Sequence, residues 1–501
     1  MKIFTAAQIK ALDAFTIQEQ NITSSELMER AATACFQWIT SHYPIQKPIL
    51  VLCGMGNNGG DGLALCRILI QHGFSAKAVI LKHRETFSDD ASHNLTSLHH
   101  QAPDDIQILE PGSFVTGIDE NILVIDALFG TGLNRALDEW TAEFVHEINE
   151  LPNEIISIDI PSGLPSDVLP TKNAAVIEAN HTLSFQLYKR SFLHPESSKF
   201  TGKIHLLHIG LNEKFIEATH SQYKIIDKQV VKEIYKPRNS FGHKGNFGRA
   251  QVVGGSYGKI GAITLAGKAC AKAGAGLVFT LAPSCGNNII QTTNPESMFI
   301  ASGEKFINEI KVNKSINAIG IGPGLDTEAA TKEALLQFLE TNEKPLVIDA
   351  DALNLLSENE EHLLKLKYAA ILTPHPKEFE RLFGTAVDTM FQVEIGRAKA
   401  MKYNIHIILK GHHTAVLTPS GECWYNMTGN AGMATGGSGD VLTGILTALL
   451  AQGYTTKDAC LLGVYLHGLA GDLAANELSE ESLIAGDIID YLGKAFLTFK
   501  D

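Results

Sequence analysis

Cys53-Gly54-Met55-Gly56-Asn57-Asn58-Gly59-Gly60-Asp61-Gly62 stands between an apolar run, Ile49 to Cys53, and a helix-period stretch from about Gly60 to Gln71. A strand that empties into glycines and re-emerges as a helix opens a βαβ unit. The same alternation continues downstream, where Ala76 to Leu81, Ile122 to Ile125 and Ile155 to Ile160 are closed by Gly, Asp or Pro. A second series begins near Ala250, with Gln251 to Val253, Gly276 to Leu281, Ala318 to Ile321, Pro345 to Ile348, Ala369 to Leu372 and Ile405 to Leu409. Ala415 to Trp424, turning at Thr418-Pro419-Ser420-Gly421, reads as an added hairpin. Strands alternating with crossover helices make this an α/β protein of parallel sheets.

The 501 residues, 45% hydrophobic and 19% charged, can bury sizeable cores and suggest two to four domains at roughly 100–200 residues each. Between Leu211 and about Ser240 the pattern decays into a polar, charge-rich stretch broken by Pro237. That divides the chain into domains of residues 1–215 and 225–501, unlike each other because no internal repeat is evident. Lys and Arg number 41 against 55 Asp and Glu, a net charge of -14, which repels a phosphate backbone and argues against a nucleic-acid polymer. Seven cysteines without a C-x-x-C pair signal reduced thiols rather than disulfides or zinc. Lys10 and Asp13 interrupt any signal-like stretch. The most apolar segment, Val441 to Thr456, is too short and polar to span a bilayer. A cytoplasmic chain without a membrane segment is the expectation.

Gly54, Gly56 and Gly59 fit G-x-G-x-x-G, whose glycines admit a pyrophosphate at a helix N-terminus. An NAD-binding fingerprint also needs an acid after the next strand to hold the ribose, and that place carries Lys82, His83 and Arg84. Hydride transfer therefore loses support. Asp126 leads into Ala127-Leu128-Phe129-Gly130-Thr131-Gly132-Leu133, and Asp159 into Ile160-Pro161-Ser162-Gly163. Ligands of open parallel sheets bind beyond the strand C-termini, so these loops should share one crevice with Asn57, Asn58 and Asp61.

Together these motifs resemble the NAD(P)H-hydrate epimerase family over about residues 1 to 215. The resemblance implies a Rossmann-like domain with a potassium site drawn from Asn58, Asp126 and Ser162. It also implies a pocket for hydrated NADH or NADPH lined by Asn57, Asn58, Gly59, Gly60, Asp61, Gly130, Thr131, Gly132, Leu133, Asn134, Arg135, Ala136 and Asp159. Asp159 is the candidate acid/base group at C6, because inverting that carbon requires proton movement at its hydroxyl or ring nitrogen.

In the second half, Gly254-Gly255-Ser256-Tyr257-Gly258 matches the G-x-S-x-G nucleophile elbow, but no nearby motif supplies an oxyanion partner. Asn430-Ala431-Gly432-Met433-Ala434-Thr435-Gly436-Gly437-Ser438-Gly439-Asp440 precedes an apolar run. That places a Gly-rich anion cradle at a helix N-terminus with a carboxylate in its first turn, and no P-loop motif occurs anywhere. This resembles the ribokinase-like fold. With His243-Lys244-Gly245-Asn246-Phe247-Gly248, Gly322-Pro323-Gly324, Asp349-Ala350-Asp351-Ala352-Leu353-Asn354, Thr373-Pro374-His375-Pro376-Lys377-Glu378 and Lys410-Gly411-His412-His413-Thr414, residues 225 to 501 resemble the NAD(P)H-hydrate dehydratase family.

That resemblance implies that Ala262, Gly324, His375 and Asp440 touch the hydrated cofactor, with Asp440 as base. It implies that Lys410, Gly411, His412, His413, Thr414 and Gly439 bind ADP, and that magnesium is present, with Glu378 a candidate ligand. His412 and His413, read as strand neighbours, point apart and form no metal pair. The competing class is a ribokinase-like small-molecule kinase carrying a dinucleotide-binding N-terminal domain. Self-association as a homo-oligomer is an expectation from fold analogy alone.

Overall fold

The computed structural model describes residues 1–133, 135–366, 368 and 370–500. It has two compact units, Lys2–Ser221 and the chain from Gln222 onward.

In the first unit a wholly parallel sheet runs in the order Ile106–Leu109, Ala76–Leu81, Ile49–Cys53, Leu123–Ala127, Ile155–Ile158, His181–Phe185, Lys203–Leu207. Buried on both faces, the central strands Ile49–Cys53 and Leu123–Ala127 and their neighbour Ile155–Ile158 are near-continuous apolar runs. Val51 and Cys53 join Leu63, Cys66 and Leu69 of the helix Asn57–Gln71 in one core. Leu50, Leu52 and Val124 meet Phe144, Val145 and Ile148 of the helix Glu139–Asn149 on the other face. The winding reverses between Ile49–Cys53 and Leu123–Ala127, where Cys53 stands opposite Ala127. Gly54 and Leu128 therefore leave the sheet side by side, at the switch point where open α/β sheets bind ligands.

The second unit repeats that winding. Its parallel strands lie in the order Ser297–Ala301, Leu277–Ala282, Arg249–Val253, Ala318–Ile321, Leu346–Ile348, Ala370–Leu372, His406–Leu409. Ala415–Leu417 and Cys423–Asn426 extend the sheet antiparallel, as the hairpin reading expected. The helices Ile260–Lys272, Ser438–Ala451, Thr456–Leu478 and Ala485–Leu497 contribute to one large core. A Cβ on Gly320 would stand 2.2 Å from Thr447 Oγ1, so the helix Ser438–Ala451 lies directly on its strand.

Several expectations need correction. The helix expected from about Gly60 begins at Asn57, because Gly56, in extended backbone, is its N-cap. Asn57, Asn58 and Asp61 are therefore helical rather than loop residues. The polar stretch after Leu211 is folded. Asn212 caps a helix at Glu213–Ala218, Asp227 caps another at Lys228–Ile234, and between them Tyr223–Ile226 pairs parallel with Cys423–Asn426. Ala369, expected to open a strand, lies outside the described residues. Among the described residues no helix is long and apolar enough to cross a membrane.

Candidate active sites

In the first unit Asp126 ends its strand fully buried, and each carboxylate oxygen accepts twice. Oδ1 takes Ser162 Oγ at 2.5 Å and the Leu128 amide at 3.2 Å; Oδ2 takes Ser157 Oγ at 2.7 Å and the Ser162 amide at 2.9 Å. Burial pushes its carboxyl up, and those bonds oppose the shift without cancelling it. Asn58, 8% exposed, has both amide atoms buried without a hydrogen-bond partner. Asp159 adopts a left-handed backbone, φ 65°, a strained state that non-glycine residues hold where their surroundings over-determine it. Its Oδ2 accepts from the Thr131 amide at 3.2 Å. A Cβ on Gly130 would lie 3.2 Å from both Asn58 Cβ and Asp159 Oδ2, so Gly130 lets these two side chains converge.

Gly54, Gly59 and Gly60 of the opening motif stand against the protein's own chain, whereas a Cβ on Gly56 would meet nothing closer than Arg84 Nη2 at 3.8 Å. A Cβ on Gly54 would stand 2.0 Å from Leu128 O, one on Gly59 1.8 Å from Gly54 O, and one on Gly60 2.7 Å from Met28 Sδ. Asp61, in the helix, is pushed well up by burial and then by the charges of Asp159, Asp13 and Asp90. Asn57 is exposed, Thr131 and Leu133 half-buried, and Gly132, Arg135 and Ala136 exposed farther along the loop. Asn134 lies outside the described residues.

Sequence reasoning missed Lys189. It is 1% exposed, with Nζ 2.6 Å from Asp159 Oδ1 and 2.8 Å from Ser184 Oγ. A lone lysine in Gln186-Leu187-Tyr188-Lys189 carries no pattern; only the fold brings it to Asp159. Asp13, passed over in the N-terminal helix Ala6–Gln20, is pushed up to about 7 by burial and by Asp159.

The second unit gathers its groups at the C-terminal ends of adjacent strands. Asp349 is 1% exposed; Oδ1 accepts from Lys410 Nζ at 2.8 Å and Oδ2 from Thr443 Oγ1 at 2.7 Å. Burial would push the Lys410 ammonium down, but Asp349 and Glu378 outweigh it and the net shift is upward. Glu378, 3.8 Å from Lys410, accepts from the His375 amide at 2.8 Å, while His375 Nδ1 accepts from the Lys377 amide at 3.1 Å. His375 thus caps the helix Pro376–Phe383.

A Cβ on Gly439 would lie 3.3 Å from Lys410 Nζ, so Gly439, Lys410 and Asp349 converge. The next residue, Asp440, stands in the first turn of its helix. Burial, then the Asp349 charge, pushes it up to about 7 against the pull of Lys410. Gly324, at φ 60°, lies against Ala262, its Cβ position 3.1 Å from Ala262 Cβ and 2.6 Å from Lys259 O. Lys259 Nζ bridges Asp326 at 3.1 Å and Asp351 at 3.5 Å.

His467 and Asp472 were also missed. Buried His467, pushed down to about 4 by desolvation, donates from Nε2 to Ser438 O at 3.0 Å. Asp472 accepts from the Gly429 amide and Asn430 Nδ2, both at 2.9 Å. They anchor the two ends of the Gly-rich turn.

The strand before Lys410 ends at Leu409 and Gly411 to His413 form a turn, so His412 and His413 do not point apart as strand neighbours. Their rings face each other with centroids 4.4 Å apart and a 55° tilt. Thr414 Oγ1 donates to Gly411 O at 3.2 Å, closing that turn. Ser256 is fully buried, unlike the exposed serine of a nucleophile elbow. Among the described residues no group of three or more His, Cys, Asp and Glu is arranged to hold a metal ion.

A Rossmann-like unit with Asp159 just past a strand end and a ribokinase-like unit with Asp440 in the first turn of a helix define a two-site α/β enzyme. Residues 250–494 match the family model described as NAD(P)H-hydrate dehydratase, and residues 24–191 that of the YjeF-related protein N-terminus. The bifunctional NAD(P)H-hydrate repair enzyme of Moorella thermoacetica is 35% identical, covering 98% of this chain and 96% of that one. Its Escherichia coli K12 counterpart is 33% identical over 94% and 89%. The crystal structure of the ADP/ATP-dependent NAD(P)H-hydrate dehydratase from Bacillus subtilis, co-crystallised with ATP and Mg2+, is 31% identical. It superposes with a TM-score of 0.50 over 55% of this chain and 98% of that one. The chain belongs to the bifunctional NAD(P)H-hydrate repair enzymes.

Proposed function

We propose that residues 1–215 epimerise the R and S forms of hydrated NADH and NADPH, and that residues 225–501 dehydrate the S form with ADP, giving AMP and phosphate. The observation that carries the second activity is Asp440, a carboxylate held up at about 7 in a helix first turn beside Gly439 and the Asp349–Lys410 pair. Such a group accepts a proton near neutrality. Asp440 takes the C6 hydroxyl proton as that oxygen attacks the β-phosphorus of ADP and AMP departs. Lys410 and the helix N-terminal amides face the phosphoryl charge. Phosphate is a better leaving group than hydroxide. The N1 lone pair expels it from C6, and loss of a C5 proton restores the dihydropyridine. Gly411, His412, His413 and Thr414 flank the nucleotide, while Ala262, Gly324 and His375 face the hydrated ring.

Magnesium would be held by nucleotide phosphates together with carboxylates such as Glu378, since among the described residues no group of three or more His, Cys, Asp and Glu is arranged to hold it alone; its chemistry is to offset phosphoryl charge. In the first unit Asn58, Asp126 and Ser162 fit an alkali cation. Asn58 Oδ1 is buried and unpartnered, whereas Asp126, already accepting four hydrogen bonds, supplies charge rather than a vacant oxygen. Potassium there would attract the substrate's negative groups. Asp159 moves the proton at C6, and Asn57 to Asp61, Gly130 to Leu133, Arg135 and Ala136 line its pocket.

The test mixes the protein, both epimers of hydrated NADH, magnesium and ADP. Near-complete return of dihydropyridine absorbance supports both activities. Return of only the S fraction removes the epimerase assignment, and a stable phosphorylated product marks a kinase instead.

A further inference from the structure

Lys189 is a buried cation that epimerisation as described above does not use. It stands before the short turn Arg190–Leu193 at 1% exposure, and a buried ammonium is costly without a counter-charge. Asp13, from the helix Ala6–Gln20, feels the charges of both Asp159 and Lys189, and Asp61, from the helix Asn57–Gln71, feels those of Asp159 and Asp13. Asp90, in the helix Asp89–Gln101, adds its charge to the field at Asp61. Asp159 is the carboxyl in contact with the ammonium, at 2.6 Å. The unpartnered Asn58 amide, drawn to Asp159 at Gly130, marks this as a place built for a ligand.

Sheltered carboxyls that repel one another, as Asp13, Asp61 and Asp159 do, do not all carry charge, because like charges disfavour one another's ionised forms. Contact decides which one does. We propose that Lys189 is a positioning residue of the epimerase site: its ion pair on one oxygen, with the Thr131 amide on the other, holds the Asp159 carboxylate beside Gly130 as the charged partner of the buried ammonium. This rests on reading Asp159 as the acid/base group.

The division of labour suits the chemistry. C6 bears the hydroxyl and is bonded to N1, so inversion can run by ring opening. Asp159 takes the hydroxyl proton, C6–O becomes a carbonyl, and the C6–N1 bond breaks with its electron pair going to N1. N1 takes a proton from a neighbouring carboxyl. Rotation about C5–C6 and the reverse transfers close the ring on the other face. Nothing is consumed, and both protons return to their starting groups. One ionised and one protonated carboxyl in a single pocket meet both demands. Asp13, pushed up to about 7 by burial and then by Asp159, with Lys189 pulling the other way, can hold that proton near neutrality.

Lys189→Gln keeps a hydrogen-bonding side chain and removes the charge; Lys189→Arg keeps the charge. Epimer exchange is followed by chromatography of hydrated NADH without ADP, across pH 5.5 to 8.5, on the full-length variants. Hydrogen exchange over Ile155–Ile158 checks that the first unit is folded. The expected result is a fall of about 10–100-fold at neutral pH for Lys189→Gln, with the rising limb of the profile displaced upward by about one unit or more. In Lys189→Arg the limb stays in place. A folded Lys189→Gln whose limb does not move overturns the proposal, whether its rate is lowered or not. So does a limb displaced equally in both variants. Asp159→Asn separates this from the parent reading: exchange undiminished in that variant means Asp159 is not the acid/base group at all.

Discussion

An aspartate makes a poor proton acceptor at neutrality while it titrates in the ordinary carboxylate range. The two sites treat theirs differently. Asp159 is salt-bridged directly by Lys189, whereas in the second unit Lys410 bonds to Asp349, and Asp440 is pushed up by burial and then by the Asp349 charge. A raised carboxyl is protonated below its value and ionised above it, so a base at about 7 gains activity as pH rises. The dehydration rate on purified S epimer should climb through about pH 7 and level off above it, measured at saturating ADP and magnesium. Asp440→Asn should lower that rate by about 10²–10⁴-fold and leave epimer exchange unchanged.

Among the elements, the exit of the strand Ile49–Cys53 beside its parallel neighbour Leu123–Ala127 is a tight constraint near a site. Gly54→Ala would drive a Cβ to 2.0 Å from the Leu128 carbonyl, and backbone gives way less readily than a side chain. We expect about 1–3 kcal/mol of destabilisation confined to the first unit, seen as earlier melting and lost epimerisation with dehydration retained. Much of this level was legible in the sequence. Asp126 and Asp159 each stand where an apolar run meets a Gly-bearing loop, which locates sheet ends, and Asp440 follows a Gly-rich turn into its helix. Other elements were hidden. Tyr223–Ile226 lies in a charged stretch because it is a four-residue strand near the margin of its sheet that needs little apolar sequence. Lys189, His467 and Asp13 reach their partners across long separations that no local pattern encodes. The opening glycines were found, but their cause, contact with Leu128 O and Met28, is tertiary.

For the whole molecule, a net charge of -14 gives no general attraction for anionic substrates. Binding must come from local devices: Lys410, amides at helix N-termini, and cations carried in or resident. The two proposed cation requirements are separate. Replacing potassium by choline should slow epimer exchange at least about tenfold, since the proposed site loses its charge, and leave dehydration of the S form untouched. Mixed epimers would then give a two-phase progress curve, a fast S fraction followed by R at its unaided rate.

The shared winding of the two sheets bears on how the enzyme is made. In each, the first core strand is central and its second neighbour is the fourth, so synthesis completes one flank before the other exists. A nascent chain ending after Leu109 holds Ile49–Cys53 with one edge bare, and the bare edge is the one that will border the crevice. Gly54 meets Leu128 only when the ribosome has released both. The pairings that shape each site are thus among the later, longer-range events of folding, when unpaired edges are most exposed to mispairing. Neither centre exists in a chain stopped partway through its own sheet.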